Sequence, residues 1–130
     1  SSLLNEIDYG LAESLTLKEL SQNFPEIISS WRKGEDPRFP EGENQIDVLR
    51  RVEIFLKNLN FNNKSLIVSH LVVLRIFLFK LLRLPLLNTY KIKVEHLDGF
   101  EIQSFRDFKN IRFYSYLRTQ IRNQLSIVND

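Results

Sequence analysis

Lys64-Ser65-Leu66-Ile67-Val68-Ser69-His70-Leu71-Val72-Val73-Leu74-Arg75 is the stretch whose reading decides the fold. The short run Leu66-Ile67-Val68, β-branched and set between serines, has the length and composition of a strand buried on both faces. His70 stands where that strand ends. Residues 71–84 are then apolar on nearly every side except at Arg75, Lys80 and Arg83, which predicts a helix packed deep against a sheet and stopped by Pro85. A buried strand feeding a buried helix is the unit of a layered α/β fold, in which ligands gather at the carboxyl ends of parallel strands. A lone histidine after an apolar strand is more often a core residue than a functional one. The position of His70 argues the other way, because an imidazole beside the free amides of a first helical turn sits where anions such as phosphate bind.

Working outward, the apolar positions Leu17, Leu20, Phe24, Ile27, Ile28 and Trp31 recur at helical spacing, with Thr16 placed to cap and Glu19 three residues on. This predicts a helix over 15–31, bent or broken near Pro25. Residues 34–43 concentrate Gly, Pro and charge and form an irregular connection, of a length that is often functional. Ile46, Leu49, Val52, Phe55, Leu56 and Leu59 predict a second helix, with a stop at 60–63. Downstream, Tyr90, Ile92 and Val94 alternate with Lys91, Lys93 and Glu95 ahead of an Asp98-Gly99 turn and Phe100-Glu101-Ile102, the pattern of a hairpin. His96, inside it, is expected to face solvent. The tail reads two ways: Ile111, Phe113 and Ser115 as a strand, or Leu117, Ile121, Leu125 and Val128 as a helix.

The whole chain has 130 residues, enough for one domain over 1–130 with a single core. Its 43% hydrophobic and 26% charged residues are those of a folded domain, not of a disordered tail. Eighteen basic and sixteen acidic residues are interspersed, without the basic stripe that nucleic-acid binding uses. With no cysteine, disulfides, thiolate nucleophiles and thiolate-bound metals are excluded. The most apolar stretch, 66–87, is interrupted by His70, Arg75, Lys80, Arg83 and Pro85, so no membrane span is expected. The chain opens without a basic leader or an initiating Met and contains no Met at all, which reads as a fragment or processed product of a protein expected in the cytoplasm. No metal and no cofactor is expected.

Val68-Ser69-His70, followed by apolar residues and Arg75, is similar to the second catalytic-histidine motif of the histidine phosphatase superfamily, the phosphoglycerate-mutase-like group. Upstream, Leu4-Asn5-Glu6-Ile7-Asp8-Tyr9-Gly10-Leu11-Ala12-Glu13 resembles the family segment in which a Glu precedes an aromatic-Gly pair and a second Glu. Pro40-Glu41-Gly42-Glu43-Asn44, followed by Arg51-Val52, resembles its Pro-rich, Gly-Glu and Arg-Val stretch. The resemblance implies a three-layer α/β/α sheet with helices on both faces. It also implies phosphoryl transfer through a phosphohistidine on a small phosphorylated metabolite, by a phosphomonoester hydrolase or a mutase-like enzyme.

By the same resemblance His70 is the second pocket histidine, donating to the phosphoryl oxygens, and the backbone N–H of Leu71 assists it in binding phosphate. Glu6 matches the proton donor to the departing alkoxide; without the family match it reads as a solvated loop carboxylate. Glu13, Glu43 and Arg51 read as structural, the last two as a charge at a helix N-terminus and a packing ion pair. Arg32, Lys33 and Arg38 flank the irregular loop and are weak candidates for gripping an anionic substrate, with a solvated charge cluster as the alternative.

The chain departs from the family pattern in that no residue matches the Arg-His-Gly motif carrying the nucleophile, and no second pocket Arg appears before Arg32. Leu71 stands where the family usually has Gly. The central first strand is accordingly expected to be missing from this chain, leaving an open edge at 66–69 that either an upstream part of the parent protein covers or a second copy fills in a homodimer. The alternative function is a non-catalytic, degenerate relative that binds a phosphorylated ligand or a protein partner.

Overall fold

The computed structural model describes residues 1–60, 64–95, 98–102 and 111–114. Among these residues four α-helices carry the fold: α1 (Leu17–Asn23), α2 (Pro25–Arg32), α3 (Gln45–Asn58) and α4 (Leu71–Leu82). Short 3₁₀ turns at Ser2–Leu4, Gly10–Ala12 and Leu86–Lys91 and two strands, β1 (Gly99–Ile102) and β2 (Ile111–Tyr114), complete it.

Local chemistry sets the helix boundaries. Thr16 and Glu19 form a reciprocal capping box at the start of α1, and Pro25 opens α2 at a position where its missing N–H costs nothing. The periodic stretch 15–31 is therefore two helices broken at Phe24. The start of α3 is capped from both sides: Asn44 and Asp47 exchange bonds, while the Asp36 carboxylate accepts from Gln45 N (3.0 Å) and Ile46 N (3.1 Å). Helix α4 ends two residues earlier than the pattern predicts. Arg83 turns left-handed at φ 56, and the N–H of Leu84 reaches back to the carbonyl of Phe79 at 2.9 Å.

The core lies between α3 and α4. Val48, Val52 and Leu56 meet Val73, Ile76, Phe77 and Leu81, and Leu4, Ile7, Ala12, Leu20, Ile27 and Phe39 close the same cluster from the irregular segments. The opposite face of α4, Leu78 and Phe79, packs on Ile92, Leu86, Val94 and Phe100. An apolar stretch with little amphipathic bias thus becomes a helix covered on two sides.

Two sequence expectations are corrected. Residues 64–70 form no strand, and the segment is not buried on both faces: Leu66 is 91% and Val68 84% exposed, while Ile67 packs against the core. Among the described residues no backbone hydrogen bond is made along 64–69, so only its inward row is covered. The hairpin is also differently built. Residues 86–91 are 3₁₀, Ile92 is buried under α4, and β1 pairs antiparallel with β2, Phe100 opposite Phe113 and Glu101 opposite Arg112. Among the described residues this hairpin is the whole sheet, so they do not form the three-layer arrangement. The expected strand at Ile111 and Phe113 is present; Ser115, His96, part of the 60–63 stop and the tail helix lie outside the described residues.

The irregular segments cross at a glycine pair. A Cβ on Gly42 would lie 2.4 Å from the carbonyl oxygen of Asp8, and one on Gly10, at φ +52, would lie 2.1 Å from that of Pro40. Both clashes are with backbone. Gly42→Ala is expected to destabilise by about 1–3 kcal/mol through overpacking. Gly99→Ala, with open space around the site, should stay within about 0.5 kcal/mol of the parent. Urea unfolding of the two variants checks the contrast.

Candidate functional site

The site is built where the N-terminal segment meets the start of α4. His70 precedes the helix with extended backbone (φ −108, ψ 170); it is exposed, and its side chain makes no capping bond. The Glu6 carboxylate takes that place. Its two oxygens lie 3.2 and 3.3 Å from the N–H of Val72, the second amide of α4, across 66 residues of sequence. An oxygen of the same carboxylate also accepts from Ile7 N at 3.0 Å. Ser69 ties the two segments together one residue before His70, its hydroxyl donating to the Leu4 carbonyl at 2.7 Å.

What holds Glu6 there is Arg51 of α3. Its Nε and one Nη take the two oxygens of Glu43 at 2.9 Å each, a bidentate pair. The remaining donors go to backbone carbonyls: Leu3 at 2.9 Å, Asn5 at 2.7 Å and Glu6 itself at 3.1 Å. Glu43 completes the frame by accepting from Asp8 N at 3.1 Å. The structural reading of Arg51 and Glu43 as a packing ion pair matches this geometry. The N-terminal charge of α3, expected from Glu43, is supplied by Asp36 and Asp47. Glu13 is structural too, accepting from Tyr9 N at 3.2 Å.

Two residues join the site that sequence reasoning had given no role. Arg75, one turn along α4 from Val72, is half-buried and donates to the Ile92 carbonyl. Burial lowers its guanidinium pKa, and the nearby Tyr9 and Glu6 oppose that shift. Tyr9, three residues after Glu6, has its ring edge-on to buried Phe39 at 4.9 Å. Its phenol is pushed above the ordinary range first by burial, then by the carboxylates of Glu6 and Glu13, with Arg75 pulling the other way. The signal for Tyr9 was its place in the aromatic-Gly pair, and for Arg75 its spacing from His70.

The other candidates fall elsewhere. Leu71, which supplies the first amide of α4 next to His70, is 39% exposed. Arg32 and Lys33 line a shallow groove between α1 and α2 with Ser21, Pro25, Ile28 and Ser29. Arg38 donates to the Gly42 carbonyl at 2.9 Å and pairs with Asp47, so its guanidinium braces the loop. Among the described residues no three His, Asp or Glu side chains converge as a metal site, and no helix is long and apolar enough to cross a membrane.

Residues 1–113 match the family model of the histidine phosphatase superfamily (branch 1). The chain belongs to this superfamily. Its fold class is therefore α/β, and its relatives include phosphatases. It is 33% identical over 78 residues to the 6-phosphofructo-2-kinase/fructose-2,6-bisphosphatase of Aquarana catesbeiana, a match covering 58% of this chain and 16% of that protein. The corresponding form 1 enzyme of Rattus norvegicus is 32% identical over 78 residues and form 4 of Homo sapiens 32% over 79, with the same coverage. The chain thus matches 16% of the length of these relatives.

The Tyr9 environment has a consequence at high pH. A phenol whose folded-state pKa is raised keeps its proton longer in the folded than in the unfolded chain, so stability is intact below the ordinary tyrosine pKa and falls as pH rises through the folded value. The urea midpoint is expected to drop between about pH 9 and pH 11, more steeply in the parent than in Tyr9→Phe. Equal slopes would show that Tyr9 titrates alike in both states.

Proposed function

We propose that this chain forms the acid and second-histidine part of a phosphoryl-transfer site acting on a small phosphorylated metabolite. The observation that carries the reading is the meeting of Glu6 with the first turn of α4, immediately beside His70. A helix N-terminus offers N–H groups and a positive dipole end to an anion. There a phosphoryl group would be met by the imidazole of His70 and the amide of Leu71, the donors that stabilise the charge developing during transfer. Glu6, its carboxylate docked on the same turn from the N-terminal segment, is placed to give a proton to the leaving alkoxide. Family membership supports this assignment of roles, and the similarity to fructose-2,6-bisphosphatase-bearing relatives favours a phosphorylated sugar as substrate.

In this reading the nucleophile and one pocket arginine come from an Arg-His-Gly segment that this sequence does not contain, and the second pocket arginine from a further stretch. In this reading that segment also brings the strand that pairs along 66–69 and completes the three-layer sheet. Leu71 in place of a glycine, beside exposed Leu66 and Val68, favours a second reading, a degenerate relative that binds without turnover.

Two substitutions in the protein that holds the nucleophile separate these readings. His70→Ala is expected to lower turnover on the order of 10²-fold, the usual effect of losing one preorganised donor. Full turnover in a folded variant would make His70 a bystander. Glu6→Gln should slow alkyl phosphates strongly and aryl phosphates little, because a leaving group of low pKa needs no proton. Steady-state kinetics on the two substrate types is the check; equal losses would remove Glu6 from the acid role, and absence of any turnover in the parent would favour the binding reading.

A further inference from the structure

We infer that Arg51 and Glu43 are positioning residues for the acid, fixing the direction in which the Glu6 carboxylate points. The inference rests on the acid role proposed for Glu6.

Arg51 lies on α3 and touches no part of the Glu6 carboxylate; its contact is with the backbone carbonyl of that residue. The carboxylate oxygens go to Ile7 N and Val72 N. Its aim is therefore set by where the backbone at Glu6 and Ile7 lies relative to α4, and that backbone belongs to no helix or strand. It is held instead from outside. Arg51 binds the carbonyls of Leu3, Asn5 and Glu6 ahead of the carboxylate, and Glu43 takes the N–H of Asp8 behind it. The backbone N–H of Glu43 closes the frame on the Asp8 carbonyl at 2.8 Å.

The donors reach beyond the pair with Glu43 to the backbone on the near side of the carboxylate. Both groups are largely covered, Arg51 with 14% and Glu43 with 24% of the side chain exposed, so the frame is held in one geometry. The guanidinium fork is what allows one side chain to grip a carboxylate and three carbonyls at once. A lysine ammonium, with its three donors on one atom, cannot reproduce it. Because misplacement by about 1 Å costs on the order of 10²-fold in rate, a slackened frame should show as lost acid catalysis before it shows as lost fold.

The test uses Arg51→Lys and Glu43→Gln in the protein holding the nucleophile, with Glu6→Gln and the combined Arg51→Lys/Glu6→Gln alongside. Glu43→Gln keeps an acceptor for Asp8 N–H and serves if Arg51→Lys does not fold. Turnover of an alkyl phosphate is expected to fall by about 10-fold to 10²-fold in each single frame variant, with that of an aryl phosphate within about threefold of the parent. The combined variant should lose no more than Glu6→Gln alone, since an absent acid cannot be misplaced. A carboxyl carbon resonance of Glu6 displaced in Arg51→Lys without substrate reports the same change independently of turnover. Equal losses on both substrate types, additive losses in the combined variant or an unmoved resonance would each overturn the inference. A Glu6→Gln variant that does not distinguish the two substrates defeats the acid reading itself, a result visible before any frame variant is made.

Discussion

The guanidinium of Arg51 is the interaction on which the rest of the arrangement depends. Residues 3–8 contribute side chains to the core at Leu4 and Ile7 but have no ladder of their own to satisfy their backbone carbonyls. Carbonyls without partners are costly where they are covered, and three bonds from one side chain on α3 meet that need while two more bind Glu43. Bringing a charge pair partly out of water is unfavourable unless its remaining donors and acceptors are used. Here they are used to fix chain, and that is why an irregular segment can present a carboxylate at a defined place.

Helix α4 supplies the other half. It is the most apolar helix among the described residues, and burial on two faces leaves it little room to shift. Its N-terminus emerges at the surface, with His70 outside and Glu6 docked on the second amide. Rigidity at one end of the helix and openness at the other come from the same residue pattern. The Ser69 hydroxyl and the Arg75 contact with Ile92 then link this end to both segments that pass it.

Much of this was legible in the sequence where the information is local. The Thr16 and Glu19 box, the break at Pro25 and the α3 periodicity are short-range features, and the structure has them where the pattern placed them. Glu6, singled out by motif, docks on the amide of Val72, two residues past His70. The misreadings concern pairing between distant residues. Three apolar residues in a row signal a strand covered on both faces, but burial requires partners, and Leu66 and Val68 have none among the described residues. The alternation at Tyr90, Ile92 and Val94 suits a strand, yet Ile92 is drawn under α4 and β1 finds its neighbour beyond residue 102. Arg51 was legible as an ion-pair member; that it binds four residues from two other segments depends on contacts up to 48 residues away, which no local pattern encodes.

The crossing of Gly10 and Gly42 carries a consequence for how this sequence can change. Each glycine faces the backbone that surrounds the other, with Leu11 N donating to the Pro40 carbonyl at 2.9 Å beside them. A side chain gained on one strand of the crossing cannot be offset by trimming the other, because both are already the smallest residue available. The two positions therefore have no compensating pair of substitutions. Drift can proceed through the surfaces around them, but at this contact the only route to a different residue runs through a different path for the chain.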